Sequence, residues 1–246
     1  MNLKDLLLSE DIDPQHVLVL RHRPLEPDLN KVLPWLAAEK PDLFNAYQQT
    51  QNVQAERAMT RASHVAAFIG HEPGKALFVG LYSVQGWKPI TREEYWKIPA
   101  HNGLKSFGMK GFTEASGRSS ILWFDLALVD FCARWKGKLI VGWPPPDRSW
   151  YRWADKPKNE MPVLAILEES ALDAAMPDWH EIDLTWDELG VLPARWKSRL
   201  SEWRCIYYVF DTSERKGYVG SAYGESNRKL PRQVDNCKVE TPAVLV

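Results

Sequence analysis

Few cysteines stand in this chain, and none stands where cysteine does chemistry. Cys132, Cys205 and Cys237 are widely spaced, form no CxxC pair and match no zinc-ligand pattern. A sparse, odd count points to a reducing compartment rather than a disulfide-stapled secreted domain. An excess of one charge is lacking too. Thirty-one Lys and Arg stand against 32 Asp and Glu, a formal net of −1, so whole-chain charge neither favours nor disfavours a polyanionic partner. No apolar run approaches the ~18 residues that a membrane span needs. The N-terminus, MNLKDLLLSEDID, turns acidic right after a short apolar run and reads poorly as a signal peptide. The expectation is a cytoplasmic protein with no membrane partner. Internal repeats and low-complexity tracts are missing. The six histidines, His16, His22, His64, His71, His101 and His180, include no pair at the i, i+4 spacing of metal ligands. Glu168-Glu169 and the run Asp183, Asp187, Glu188 are scattered rather than convergent. No P-loop, dinucleotide fingerprint or GxSxG elbow is present, which removes the commonest nucleotide-binding and hydrolase patterns.

What is present is a series of short apolar runs. His16–Arg21, Val65–Ile69, Ala76–Val84, Ile121–Leu128, Lys138–Trp143, Ser149–Trp153 and Pro162–Leu167 read as strands. His71-Glu72-Pro73-Gly74 is a turn sequence, and Pro144-Pro145-Pro146-Asp147 is expected to let the strands on either side of it pair. Asp28–Ala38 reads as a helix with Leu29, Val32, Leu33 and Leu36 at helical spacing, and Asp42–Gln49 as a second. Thr91 with Glu94 makes a capping box that opens a helix to Trp96. Short strands broken by short helices imply an α+β domain built on a mixed, curled sheet, a small pseudo-barrel. That outline is similar to nucleic-acid readers of the PUA-like or B3-like kind, an analogy at the level of fold.

Tryptophan is plentiful, with 12 in 246 residues. Trp143, Trp150 and Trp153 cluster with Arg148 and Arg152. Aromatics interleaved with arginine stack on unpaired bases, whereas the same residues on a core face simply pack. Alternation puts Trp150 with Arg152 on one face and Tyr151 with Trp153 on the other. At least one of Trp150 and Trp153 is therefore expected in the core.

Leu172–Trp179 reads as a junction, with an N-terminal domain over 1–175 and a C-terminal module over 176–246. Past it, Glu181–Leu184 reads as a short strand, Thr185 with Glu188 as another capping box, and Pro193 as the start of a helix to about Trp203. From Arg195 to Arg232 nine Lys and Arg face four Asp and Glu, a local basic excess suited to phosphate contacts. Arg195, Lys197, Arg199 and Lys216 are the candidate DNA contacts.

The next stretch, Arg204 to Asn227, reads RCIYYVFDTSERKGYVGSAYGESN. Two strand-like runs, Cys205–Phe210 and Tyr218–Ala222, flank a polar turn, the pattern of a β-hairpin. Tyr207 shares a face with Cys205 and Val209, and Tyr208 shares the other with Ile206 and Phe210. Cys205-Ile206-Tyr207 and Tyr218-Val219-Gly220 resemble the paired signature of the GIY-YIG nuclease family, with Cys for the first Gly and Val for the second Ile. Ser221-Ala222-Tyr223-Gly224 is similar to one branch of that family. The resemblance covers about residues 178–227. It implies metal-dependent hydrolysis of DNA phosphodiesters, with Tyr207 and Tyr218 on one face to position or activate water and Tyr208 buried on the opposite face. It also implies Mg²⁺ or another divalent ion as cofactor, and Arg228 or Arg232 as the arginine that stabilises the phosphate.

After Asn227 the chain departs from that family. The Leu-x-Gly-Arg-Trp run of the branch is absent, Pro231 disfavours a helix through Arg228–Arg232, and Glu240 is the only late glutamate. The metal ligand is unidentified. The expectation is a partial module, weak or inactive as a nuclease. The alternatives are a non-catalytic nucleic-acid-binding protein that keeps the hairpin, and a protein-interaction module with a tryptophan-rich surface.

Overall fold

The computed structural model describes residues 1–173, 175–223 and 243–245. The chain divides into two compact units, Met1–Leu172 and Asp173–Val246. In order, the first unit contains α1 (Leu3–Ser9), β1 (Val17–His22), α2 (Pro27–Glu39), α3 (Pro41–Gln48), α4 (Val53–Met59), β2 (His64–Gly70) and β3 (Lys75–Thr91). It continues with α5 (Arg92–Lys97), α6 (Pro99–Lys105), β4 (Ser120–Val129), β5 (Leu139–Gly142), β6 (Tyr151–Trp153) and β7 (Val163–Ile166).

One curled, mixed sheet runs β6-β1-β2-β3-β5-β7, with β4 also on β3. Its curl follows from how the long β3 is shared. One edge of β3 carries β2, while the other carries β5 at Lys75–Leu77 and then β4 from Leu81 onward. Bulges between Ala67 and Phe68 and between Val84 and Gly86 bend the sheet there. Past Ser83, β3 has lost β2 and keeps only β4, a place where Pro89 is tolerated. This explains why β3 runs on to Thr91 although its apolar run stops near Val84.

β1 and β2 are parallel, and all six residues of β1 are buried. A strand covered on both faces reads as a continuous apolar run, which is what VLVL is. Val17 and Val19 on β1 and Ala66 and Phe68 on β2 pack with Leu3, Leu6 and Leu7 of α1. Phe78 meets Phe68 and Phe131 edge to face. α2 and α3 both begin on a proline, Pro27 and Pro41, whose fixed φ suits the first helical position. α5 is capped as its sequence announces: Glu94 N–H donates to Thr91 Oγ1, and Thr91 N–H to Glu94 Oε2.

The strands around the proline run do not pair with each other. β5 pairs with β3 and β7, while β6 crosses to the far edge and pairs antiparallel with β1, Leu18 facing Trp153. Three consecutive prolines offer no N–H for a hairpin ladder. The segment is gathered instead over buried Arg152, which donates to the carbonyls of Pro144 and Pro146 and to Asn159 Oδ1. Arg152 is thus the buried residue of β6, and Trp150 and Trp153 are both only half-buried, against the expectation that one of them fills the core.

The second unit contains α7 (Trp186–Gly190), α8 (Ala194–Glu202), β8 (Arg204–Asp211), β9 (Lys216–Tyr223) and β10 (Ala243–Leu245). Residues 181–184 do not form the expected strand; the chain turns once as a 3-10 helix over Trp179–Glu181, and Ile182 and Leu184 are buried. Thr185 and Glu188 form the expected capping box. β8 and β9 are an antiparallel hairpin, and β10 adds a third strand on the other edge of β8.

Candidate functional site

In the hairpin Tyr207 lies opposite Gly220, and Val209 opposite Tyr218. Tyr207 and Tyr218 are therefore diagonal neighbours on one face, and their ring centroids are 6.3 Å apart. Tyr207 leans across Gly220 so closely that a Cβ there would collide with its ring. The other face repeats the device. Tyr208 lies across Gly217 and stacks on Phe210, centroids 6.1 Å apart. The burial is the reverse of expectation: Tyr207 is buried, Tyr208 only half-buried, and Tyr218 is 60% exposed. Tyr218 is thus the phenol that solvent reaches, and Tyr207 is the one held in place.

Gly220→Ala is expected to force Tyr207 off its glycine and cost the hairpin about 1–3 kcal/mol, the usual penalty for overpacking. Spectra of ¹³C-labelled tyrosine rings report it: the Tyr207 resonance should move, while Ser221→Ala, on the exposed neighbour, should leave it in place.

The expected DNA contacts are dispersed. Arg195, Lys197 and Arg199 are exposed on α8, where buried Trp196 marks the inner side. Arg195 and Arg199 stand one turn apart, whereas Lys197 is displaced by two residues and points elsewhere. Lys216 opens β9 and pairs with Glu214 at 2.7 Å, which raises its pKa. At the same turn Asp211 accepts from the N–H groups of Ser213 and Glu214, and Arg215 takes a left-handed φ of 54°. Arg228, Arg232 and Glu240 lie outside the described residues. Among the described residues, no three His, Cys, Asp or Glu side chains converge to hold a metal.

The first unit contains a feature that sequence reading did not assemble, a cleft of about 970 Å³ at the end of β1. β1 closes on Arg21, His22 and then Arg23, so alternation sends Arg21 and His22 to opposite faces. Arg21 is buried. It donates to Asp147 through Nη1 at 2.7 Å and through Nη2 to the Asp147 carbonyl, and its guanidinium lies 4.7 Å over Trp143. Arg152 covers the same indole at 5.5 Å, and the Trp143 N–H donates to Ser149 O. Burial and the neighbouring Arg21 both lower the Arg152 pKa. Asp147 also accepts from Gly74 N–H and meets Arg23 at 3.4 Å. Arg21, donating to it, is the main cause that holds its carboxyl below the usual range.

His22 forms part of the floor. Its Nε2 meets Gln48 Oε1 at 3.3 Å, and its ring sits edge-on to Phe44 and Tyr47. Burial drives its pKa down to about 4, so it is neutral at physiological pH. Burial also raises the phenols of Tyr47, with help from Glu26, and of Tyr95, the latter to about 12. Arg118 lines the far wall and makes two bonds to the buried Glu56, at 3.0 and 2.6 Å.

Comparison with protein families, curated proteins and solved structures gives no match to this chain.

The described residues include no helix long and apolar enough to cross a membrane. The tryptophan and arginine cluster of the proline run is split between two roles. Trp143 and Arg152 are structural, buried under the loop, while Arg148 and Trp150 are carried by that loop to the edge of the cleft. A cue to the cleft was present in the sequence, an Arg-His-Arg run closing an otherwise apolar strand. Charge and imidazole at the end of a buried strand need a reason.

Proposed function

We propose that the hairpin of the second unit is a partial GIY-YIG-like nuclease element and that the protein hydrolyses DNA phosphodiester bonds only weakly, with the help of a divalent ion. The observation that carries this reading is the pairing of Tyr207 and Tyr218 over Gly220. A phenol has a reference pKa near ~10, so at neutral pH it orients water by hydrogen bonding and becomes a base only beside a cation. In this reading the exposed Tyr218 touches the attacking water or the phosphate, and the buried Tyr207 fixes the geometry. A bound Mg²⁺ would neutralise charge on the phosphate. The described residues supply no carboxylate set for it, and Glu240, the late candidate, lies outside them.

The test is plasmid nicking by the full chain with Mg²⁺ or Mn²⁺. Slow metal-dependent nicking that disappears in Tyr218→Phe and in Tyr207→Phe, with both variants folded, is the expected result. A wild-type chain that leaves the plasmid intact with either ion overturns the proposal. A second reading, nucleic-acid binding without cleavage, is favoured by the arginines and aromatics of the first unit's cleft. It expects intact plasmid and a DNA mobility shift that weakens steeply with salt.

A further inference from the structure

We infer that the cleft at the end of β1 is a binding site for one nucleotide unit, a nucleobase held inside with its phosphate at the rim. This goes beyond the hairpin reading and does not rest on it.

The cleft has the size of a small-molecule site, ~300–1,000 Å³ being the usual range. Its lining has an aromatic part and a basic part. The floor is aromatic and uncharged: neutral His22, Tyr47, Tyr95 and Phe112. Groups of this kind receive a flat heteroaromatic ring by stacking and by hydrogen bonds from phenol and imidazole. Four arginines line the cleft against two carboxylates, Glu26 and Asp147, and of these arginines Arg23 and Arg148 are exposed. Asp147 is already taken by Arg21 and Arg23, and Glu56 holds Arg118 from below. Arg148 is the cation left for a ligand, exposed and without an ion pair among the described residues.

The loop that presents Arg148 is rigidly built. Arg21 grips Asp147 on one side of Arg148, and Trp143 bonds Ser149 O on the other. Arg152 ties down the carbonyls of Pro144 and Pro146. Trp150 follows immediately, half-buried, with its ring edge-to-face on Tyr151. A cation and an indole two residues apart on a clamped loop supply an anion contact and a stacking surface together. A metabolite anion without a ring would leave Trp150 and the aromatic floor unused. An uncharged aromatic would leave Arg148 unused.

One chemistry has two sources, a free mononucleotide or an unpaired nucleotide within a strand. The experiment separates them. Fluorescence anisotropy of a short fluorescein-labelled single-stranded DNA is measured on the full chain in EDTA. Competitors are dAMP, dGMP, dCMP, dTMP and inorganic phosphate. Trp150→Ala is expected to weaken binding about tenfold, the scale of one lost base-stacking contact, and Trp150→Tyr to restore most of it. Arg148→Ala, at an exposed position that folding does not need, should weaken binding and reduce the salt slope by about one. Lys158→Ala, outside the cleft, should change nothing. Competition by mononucleotides assigns the free ligand. Strand binding that they fail to displace, yet that both cleft variants weaken, assigns the unpaired nucleotide. The inference is overturned if no probe binds, if the cleft variants bind as the wild type does, or if inorganic phosphate competes as well as a nucleotide. Because binding measured in EDTA requires no cleavage, failure here and failure of the nuclease reading are separate results.

Discussion

Between pH 7 and pH 4 the protein is expected to lose about 3 kcal/mol of stability through His22 alone. The imidazole is buried with a pKa lowered from 6.5 to about 4, chiefly by burial, the bond to Gln48 opposing. The unfolded chain therefore takes up the proton first as pH falls. The contribution is complete above about 6.5 and is withdrawn as pH drops toward 4. Protonation cannot be relieved locally, because the ring is packed against Phe44 and Tyr47 and no carboxylate bonds to it. His101, fully buried and stacked on Tyr95, is shifted down as well and adds in the same direction. Urea unfolding of the wild type and His22→Gln at both pH values isolates the His22 share. The variant should lose markedly less stability than the wild type over this interval. Parallel losses in the two proteins would contradict the assignment.

Glu56→Ala is expected to cost about 3 kcal/mol, the scale of breaking a buried ion pair by removing one partner. Glu56 lies on α4, with a side chain 5% exposed, and receives both terminal nitrogens of Arg118 as well as the Leu122 N–H. Its loss strands a guanidinium that is itself only 26% exposed, together with a backbone donor at the start of β4. Arg118→Ala should cost at least as much, since it strands a carboxylate only 5% exposed that keeps the Leu122 N–H as a donor. Thermal and urea unfolding of the two variants give the order, and a Glu56→Ala protein as stable as the wild type would show that water replaces the pair.

The elements that were legible in the sequence carry their signals locally. The capping box of Thr91 and Glu94 and the apolar run of β1 each declare a structure within a few residues. α1, α4 and α6 were not read. Each has only seven residues, and a helix that short owes its stability to packing rather than to propensity. α4 nonetheless carries a cap signal, since Asn52 accepts from the N–H groups of Gln54 and Ala55. The pairing of β6 was misread because sequence reports that a strand exists and not which edge it joins. The hairpin face of Tyr207 and Tyr218 follows from alternation alone. Which of the two tyrosines is buried does not, because that depends on what lies over the face. The cleft was invisible for the same reason. Arg21, Glu26, Tyr47, Tyr95, Arg118 and Arg148 meet only once distant segments of the chain are folded together.

The position of β1 between β2 and β6 has a consequence for how the chain is made. Leu18 finds its β2 partner at Val65, but its other edge is closed only by Trp153. While the polypeptide emerges during synthesis, this fully buried strand waits with one edge unpaired until nearly the whole first unit has been produced. An open, apolar edge is a template for the wrong neighbour, and long-range closure of this kind is slow. Nascent chains arrested between β5 and β6 should therefore be captured by chaperones or aggregate, while chains extended past Trp153 should fold free of both.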